Sequence, residues 1–354
     1  MTVKNKLIEQ LRGMAVLFVI FYHYTMRIPF EAMGSTVPPS LESCLGKLGV
    51  YIFFSISGYL IAKTIQQCPS LDTFYARRLS RIWPLFIAAS FFVFVWGQFL
   101  PPPYIEGNFD AHGRDVWDVI GTSFFLKDFG FSWIDGAYWS ILVELKFYLF
   151  FALCVAFFKK NGSRAFIGLS VFLGLVEFGS YLISGNYTSF NRFLHGVLIA
   201  QYMPFFALGV ALFAKEKRQL IIPCFVLCLA QIVQGIGTNP VFSVSNAAQS
   251  LFLMASLWII DHLCFKKRMF LFLGRYSYAL YLFHQVIGLS IILKLTPRIG
   301  IDAAIIIAFL FVVMLSVATS WLIEWRARNR VTSVLIKIMS LIGLNRIKLK
   351  EDAR

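Results

Sequence analysis

Arg12 and His23 stand eleven residues apart in an otherwise apolar run, Leu11 to Phe30, LRGMAVLFVIFYHYTMRIPF. In a helix, eleven residues return to within roughly 20° of the same face, about 16 Å along the axis. A guanidinium near the water interface and an imidazole deep in a bilayer would then look into one channel. Guanidinium groups hold phosphate and carboxylate oxygens, and a neutral imidazole serves as a general base or a nucleophile. Ionisable groups inside a membrane are costly and mark function. A snorkelling arginine and a packed polar histidine are the plain alternative.

Three further stretches carry chemistry. In FYARRLSRIWP, Phe74 to Pro84, Arg77, Arg78 and Arg81 accompany Tyr75 and Trp83. Such forks and rings suit a nucleotide phosphate such as that of coenzyme A, and equally the anionic heads of membrane lipids. In WSILVELKFY, Trp139 to Tyr148, Glu144 lies in an apolar run beside Lys146. Residues two apart face different ways on a helix, so Glu144 requires a partner elsewhere, with His23 and Arg12 the obvious candidates. Glu177 is a rival buried acid. In GVYIFFSISGYLI, Ser55, Ser57 and Gly58 allow close helix approach. LGRYSYALYLFH brings Arg275, Ser277, Tyr278, Tyr281 and His284 into one apolar segment.

The elements that must position these residues are membrane helices. The 354 residues are 58% hydrophobic, 17% aromatic and only 14% charged, with a mean hydropathy of +0.71. This composition excludes an ordinary soluble domain. Ten spans are expected, roughly 11–30, 47–66, 82–100, 137–158, 165–185, 196–214, 220–237, 244–264, 270–293 and 301–324, forming an all-α bundle. The net charge of +15 is segregated. With both termini cytoplasmic, 25 of the 33 lysines and arginines fall inside and seven outside, as the positive-inside rule requires. No RNA-binding aromatic pattern or zinc-finger spacing is present, so nucleic acid is not an expected partner. Cys44, Cys68, Cys154, Cys224, Cys228 and Cys264 contain no CxxC pair and read as small apolar residues. The first span reads as a retained signal anchor. The outer loop from Pro101 to Gly136 is acidic and aromatic. Within it Val116 to Lys127 is apolar but too short to cross, and is expected to form a re-entrant or interfacial helix. Residues 331–354 read as a basic amphipathic tail on the membrane lipids.

Five stretches, LRGMAVLFVIFYH, GVYIFFSISGYLI, FYARRLSRIWP, WSILVELKFY and LGRYSYALYLFH, occur in the order seen in the membrane acyltransferase-3 family. The chain resembles that family from about residue 7 to 330. Arg12 and His23 look like its arginine-x10-histidine signature, and Arg78 and Arg81 like its R-x-x-R motif. Trp139, Ser140, Glu144, Phe147 and Tyr148 match a third motif. Two family acids are missing, with Tyr51 and Leu145 in their places, so no role carries over for them.

The resemblance implies a ten-helix enzyme of the bacterial inner membrane. It would move an acyl group, acetyl from cytoplasmic acetyl-CoA, onto a hydroxyl of a surface or exported glycan such as lipopolysaccharide O-antigen or exopolysaccharide, free or lipid-linked. On that basis His23 and Glu144 are the expected catalytic residues. Arg12, Arg77, Arg78 and Arg81 are expected to hold the donor, and Ser57, Ser140, Tyr148, Arg275 and His284 the acceptor, with no metal. Whether His23 acts as base or carries the acyl group is left open, as is which group holds the oxyanion: Ser57, Ser140, Tyr148 or a backbone amide. The competing class is a proton-coupled transporter or exporter with His23 and Glu144 as a relay. It leaves the arginines and the lack of an internal repeat unexplained.

Overall fold

The computed structural model describes residues 3–26, 39–100, 114–184, 189–214, 221, 222, 224, 226, 268–341, 343, 344, 347 and 349. Every regular element among them is a helix. Four runs are long and apolar enough to cross a membrane, and a bent helix pair makes a fifth. The expected spans 220–237 and 244–264 fall almost wholly outside the described residues, as do residues 27–30 of the first span and 101–113 of the outer loop.

In chain order the helices are α1 (Val3–Met26), α2 (Pro39–Ile65), α3 (Leu71–Phe99), α4 (Val116–Ser123), α5 (Trp139–Phe158), α6 (Gly162–Ser184) and α7 (Ser189–Gly196). They continue with α8 (Met203–Ala214), α9 (Arg268–Arg275), α10 (Ser277–Phe283), α11 (Val286–Ile299), α12 (Ile301–Thr319) and α13 (Trp325–Leu341). Two compact units emerge, one of residues 1–49, 77–140 and 264–335, the other of residues 50–76, 141–263 and 336–354.

In the first unit, α1 is one uninterrupted 24-residue helix. It crosses α9 with the backbones almost touching: a Cβ on Gly274 would lie 1.7 Å from the Glu9 carbonyl oxygen, and one on Gly13 2.2 Å from that of Phe270. Only glycine permits this approach, and between membrane helices close van der Waals packing replaces a hydrophobic drive. The helix predicted within Val116 to Lys127 exists as α4, opened by Asp115, whose side chain accepts the Asp118 N–H at 2.9 Å. It is tied to α3 by the Trp83 indole N–H on the Ser123 carbonyl, 2.9 Å, and by stacking of Phe86 on Phe125. The α12 helix continues through a π-helical turn, Ser320–Glu324, into α13.

The expected span 270–293 is broken rather than continuous, with α10 and α11 meeting at 57°. Side chains from 135–138 enter its hydrogen-bond ladder. The Val286 N–H donates to Asp135 Oδ2 at 3.1 Å. Leu282 O, the acceptor a straight helix would use for that amide, takes the Tyr138 hydroxyl at 3.0 Å. Insertion of side chains between residues i and i−4 is a recognised cause of sharp kinks.

In the second unit, α5 and α6 belong to one apolar run of 45 residues, about 68 Å if straight and twice what a bilayer core needs. The run doubles back. Lys159 takes φ 48° in a short 3₁₀ turn, and a Cβ on Gly162 would stand 2.4 Å from Val155 Cα. A continuous helix would hold those residues about 10 Å apart. Phe166 packs edge-on against Phe147 and Phe151 across this hairpin. The serine–glycine stretch does what its composition predicts. A Cβ on Gly58 would meet Phe206 O at 2.1 Å, and one on Gly209 would meet Ser55 O at 1.9 Å, so α2 and α8 cross at backbone distance. Within the expected span 196–214, Gly196 ends α7 and only the twelve residues Met203–Ala214 form a further helix, after a turn in which Ile199 has φ 48°.

Candidate active site

The first unit brings His23 against His284. The ring centroids are 4.7 Å apart and nearly perpendicular, with His284 Nε2 3.3 Å from His23 Nδ1. His284 sits where α10 ends and α11 begins and is 0% exposed. The protonation pattern follows from the neighbours, because a carbonyl oxygen only accepts. His284 Nδ1 lies 2.8 Å from Tyr281 O and therefore carries its proton, which leaves Nε2 with a lone pair. His23 Nδ1 lies 2.8 Å from Val19 O and so also carries its proton, shared between Val19 O and His284 Nε2. With both rings neutral, the lone pair of His23 is on Nε2. That nitrogen is the one able to take a proton or an acyl group.

The kink that delivers His284 is built by residues 135–140. Asp135, 1% exposed, accepts Ala137 N–H at 2.8 Å with Oδ1 as well as Val286 N–H with Oδ2. The Tyr281 hydroxyl donates to Ala137 O at 2.6 Å, so the 2.7 Å contact between Ser140 and Tyr281 has Ser140 as donor. The sequence singled out Ser140, Tyr281 and His284. It offered Asp135 only as one acid of a loop, and nothing local marks it as a helix-breaking pin.

Arg12 lies about 16 Å from His23 on the same continuous helix. Glu9 is one turn before it, against Gly274, and Arg275 follows Gly274 directly. One turn further on, Tyr278 gives its hydroxyl to Ile82 O at 2.8 Å, which holds the neighbouring Arg81 at this corner. Burial raises the Glu9 carboxyl above its ordinary value, and Arg12, Arg275 and Arg81 oppose that rise. Arg275, expected on the acceptor side, thus joins Arg12 and Arg81. The three arginines of α3 do not face one way. Arg77 is exposed and one turn from Arg81, whereas Arg78 is 5% exposed. Glu9 stands among these arginines without having been singled out in the sequence, where its signal is the spacing of three to Arg12.

In the second unit Glu144 accepts hydrogen bonds from Ser57 and from Tyr148, the latter at 2.5 Å. These hydroxyls are partners that the sequence reading had placed with the acceptor. Lys146 instead reaches Gly196 O at 2.6 Å. Glu177, the rival acid, is fully buried against His195.

Apolar helices of crossing length, an interior histidine pair and an arginine corner on the helix that carries one of those histidines define a multi-pass membrane protein equipped for group transfer. The model of the acyltransferase-3 family, described as an acyltransferase domain, matches residues 5–325, and the chain belongs to that family. It is an enzyme that transfers acyl groups. A provisionally named acetyltransferase of Acidianus two-tailed virus is 22% identical over 320 residues, 85% of this chain and 87% of its own length. An O-acetyl transferase of Shigella phage Sf6 is 30% identical over 183 residues, 47% of this chain and 50% of its own. A provisionally named O-acetyltransferase of Staphylococcus aureus strain COL is 27% identical over 323 residues, covering 78% of this chain and 49% of its own. The chain thus spans about half the length of the phage and staphylococcal proteins. No solved structure matches.

Proposed function

We propose that the protein is an O-acyltransferase of the inner membrane, with both termini cytoplasmic, that moves acetyl from cytoplasmic acetyl-CoA to a hydroxyl of an exported glycan. The observation that carries this reading is the His23–His284 contact on a helix that also bears Arg12 of the arginine corner; with both rings neutral, it directs the His23 lone pair to Nε2. Arg12, Arg81 and Arg275, with Arg77 beside them, bind the phosphates of coenzyme A through charge-assisted forks. The roughly 16 Å between Arg12 and His23 is spanned by the pantetheine arm. His23 Nε2 takes the proton of the acceptor hydroxyl as its oxygen attacks the thioester carbon. The C–S bond then breaks, its electron pair leaves with sulfur, and His23 returns the proton to that thiolate. His284 is assigned a positioning role here, receiving the Nδ1 proton of His23 as a hydrogen bond and stabilising the imidazolium orientation, rather than binding the acceptor. Within the second unit, Glu144 with Ser57 and Tyr148 offers a carboxylate and hydroxyls of the kind that match sugar hydroxyls. Ser140 belongs to the support of His284.

The test uses inverted membrane vesicles carrying the host's own lipid-linked glycan, supplied with radiolabelled acetyl-CoA. Label should enter the extracted glycan with the wild-type chain and fall 10²–10⁴-fold with His23→Gln, the usual cost of losing a general base. Coenzyme A binding should persist in that variant. Near wild-type transfer by folded His23→Gln overturns the reading. Transport of unmodified glycan without label incorporation would favour the exporter class.

A further inference from the structure

We propose that the Tyr24 hydroxyl is the hydrogen-bond donor that holds the acyl carbonyl oxygen while it carries negative charge during transfer. This rests on the reading of His23 as the base. Beside a backbone amide, the sequence offered three side chains for the role, Ser57, Ser140 and Tyr148, and the structure commits all three elsewhere. Ser57 and Tyr148 donate to Glu144, and Ser140 donates to Tyr281. Other buried tyrosines of the first unit are engaged too, Tyr138 with Leu282 O and Tyr281 with Ala137 O. Tyr24 differs. It is 2% exposed, and its hydroxyl has no hydrogen-bond partner among the described residues. Burying a hydroxyl without a partner is costly, and such a group in a native structure calls for an explanation.

Its position supplies one. Tyr24 follows His23 on α1, and its hydroxyl rests against Gly288, one turn beyond His284, where a Cβ would stand 2.0 Å from the phenolic oxygen. The hydroxyl therefore rests on the chain one helical turn beyond His284, the ring partner of His23. Gln285, the residue after His284, is 2% exposed and has its carboxamide oxygen unpartnered as well. One orphan follows each histidine, a donor from α1 and an acceptor from the start of α11. A bound thioester and hydroxyl together offer the complementary groups.

In the step itself, the acceptor oxygen forms a bond to the carbonyl carbon as its proton passes to His23 Nε2. The π pair of the C=O moves onto the carbonyl oxygen, which the Tyr24 O–H then holds. The pair returns as the C–S bond breaks, and the proton on His23 goes to the departing sulfur. Tyr24 keeps its proton throughout. A donor aimed at where charge develops acts mainly on the transition state, so its loss lowers kcat more than it raises KM.

The experiment is Tyr24→Phe in the full chain, assayed by transfer of radiolabelled acetyl from acetyl-CoA to glycan in vesicles, with coenzyme A binding and thermal unfolding measured on the purified protein. The expected result is a 10²–10³-fold fall in kcat, the usual effect of removing one such donor. Coenzyme A affinity should be unchanged, and the unfolding temperature unchanged or raised, because an unsatisfied buried hydroxyl has been removed. Gly288→Ala, whose methyl would displace the hydroxyl, should lower kcat in the same way. A Tyr24→Phe kcat within threefold of wild type overturns the proposal, as does a loss of kcat that tracks a lowered unfolding temperature. If His23→Gln is inactive while Tyr24→Phe is active, only the role of Tyr24 falls. If His23→Gln is active, the reading of His23 falls first.

Discussion

Asp135 is the pin of the site, and replacing it tests whether the kink exists for the reason given. Its two carboxylate oxygens accept Ala137 N–H at 2.8 Å and Val286 N–H at 3.1 Å in a 1% exposed position. Hydrogen bonds to a charged group contribute about 1.5–3 kcal/mol each. Asp135→Ala removes both acceptors and strands two amides, a loss of about 3–6 kcal/mol against a total stability on the order of 5–15 kcal/mol. Asp135→Asn keeps one oxygen and should lose about half as much. Tyr138→Phe leaves Leu282 O without its hydroxyl donor and should cost about 0.5–1.5 kcal/mol. Because the amide of Val286 and the carbonyl of Leu282 are the two halves of one helical bond, the effects of Asp135→Ala and Tyr138→Phe should not add. With both gone, the ladder can close, the 57° bend can relax, and the double variant should be more stable than the sum by at least about 0.5 kcal/mol. A relaxed bend also rotates His284 away from its 3.3 Å contact with His23, so acyl transfer should stay low even where stability returns. Thermal unfolding in detergent, followed by tryptophan fluorescence, measures the first effect, and label transfer from acetyl-CoA measures the second. Asp135→Ala that unfolds at the wild-type temperature and transfers at the wild-type rate would refute the reasoning.

Two further predictions concern the arginine corner. Arg275→Ala should weaken coenzyme A binding as much as Arg81→Ala does, by about 10- to 150-fold each, and lysine should restore only part because it lacks the fork. Calorimetric titration showing Arg81 alone to matter would return Arg275 to the acceptor side. Glu9→Gln should tighten coenzyme A binding about tenfold, since it removes a negative charge from among three guanidiniums that the phosphates require. The sign of the accompanying pH effect is fixed. Burial already raises the Glu9 carboxyl, bound phosphates raise it further, and binding therefore takes up a proton, so affinity is highest at low pH and falls as pH rises through the raised value. Glu9→Gln should flatten that slope, and a parallel slope in the variant would count against this role.

Much of the organisation was legible in the residues alone, wherever the relation is local. The apolar runs set the helical membrane class, because a bilayer core accepts no other open backbone. The eleven-residue spacing put Arg12 and His23 on one face, and α1 runs unbroken between them, since helical periodicity is a property of consecutive residues. The short helix at Val116–Ser123 and the close approach at Gly58 followed in the same way from length and side-chain size.

The identity of each partner did not follow. His23 meets a residue 261 positions away, Asp135 holds an amide 151 positions away, and Glu144 takes a hydroxyl from 87 positions away. The segment 270–293 has the composition of an ordinary span. It breaks because a carboxylate and a phenol from elsewhere in the chain satisfy the two backbone groups that a straight helix would have paired with each other. Sequence determined which groups this protein has to work with and on which helix faces they stand. Tertiary structure alone decided which of those groups meet, because a hydrogen bond or a ring contact depends on distances of a few ångströms that only packing fixes.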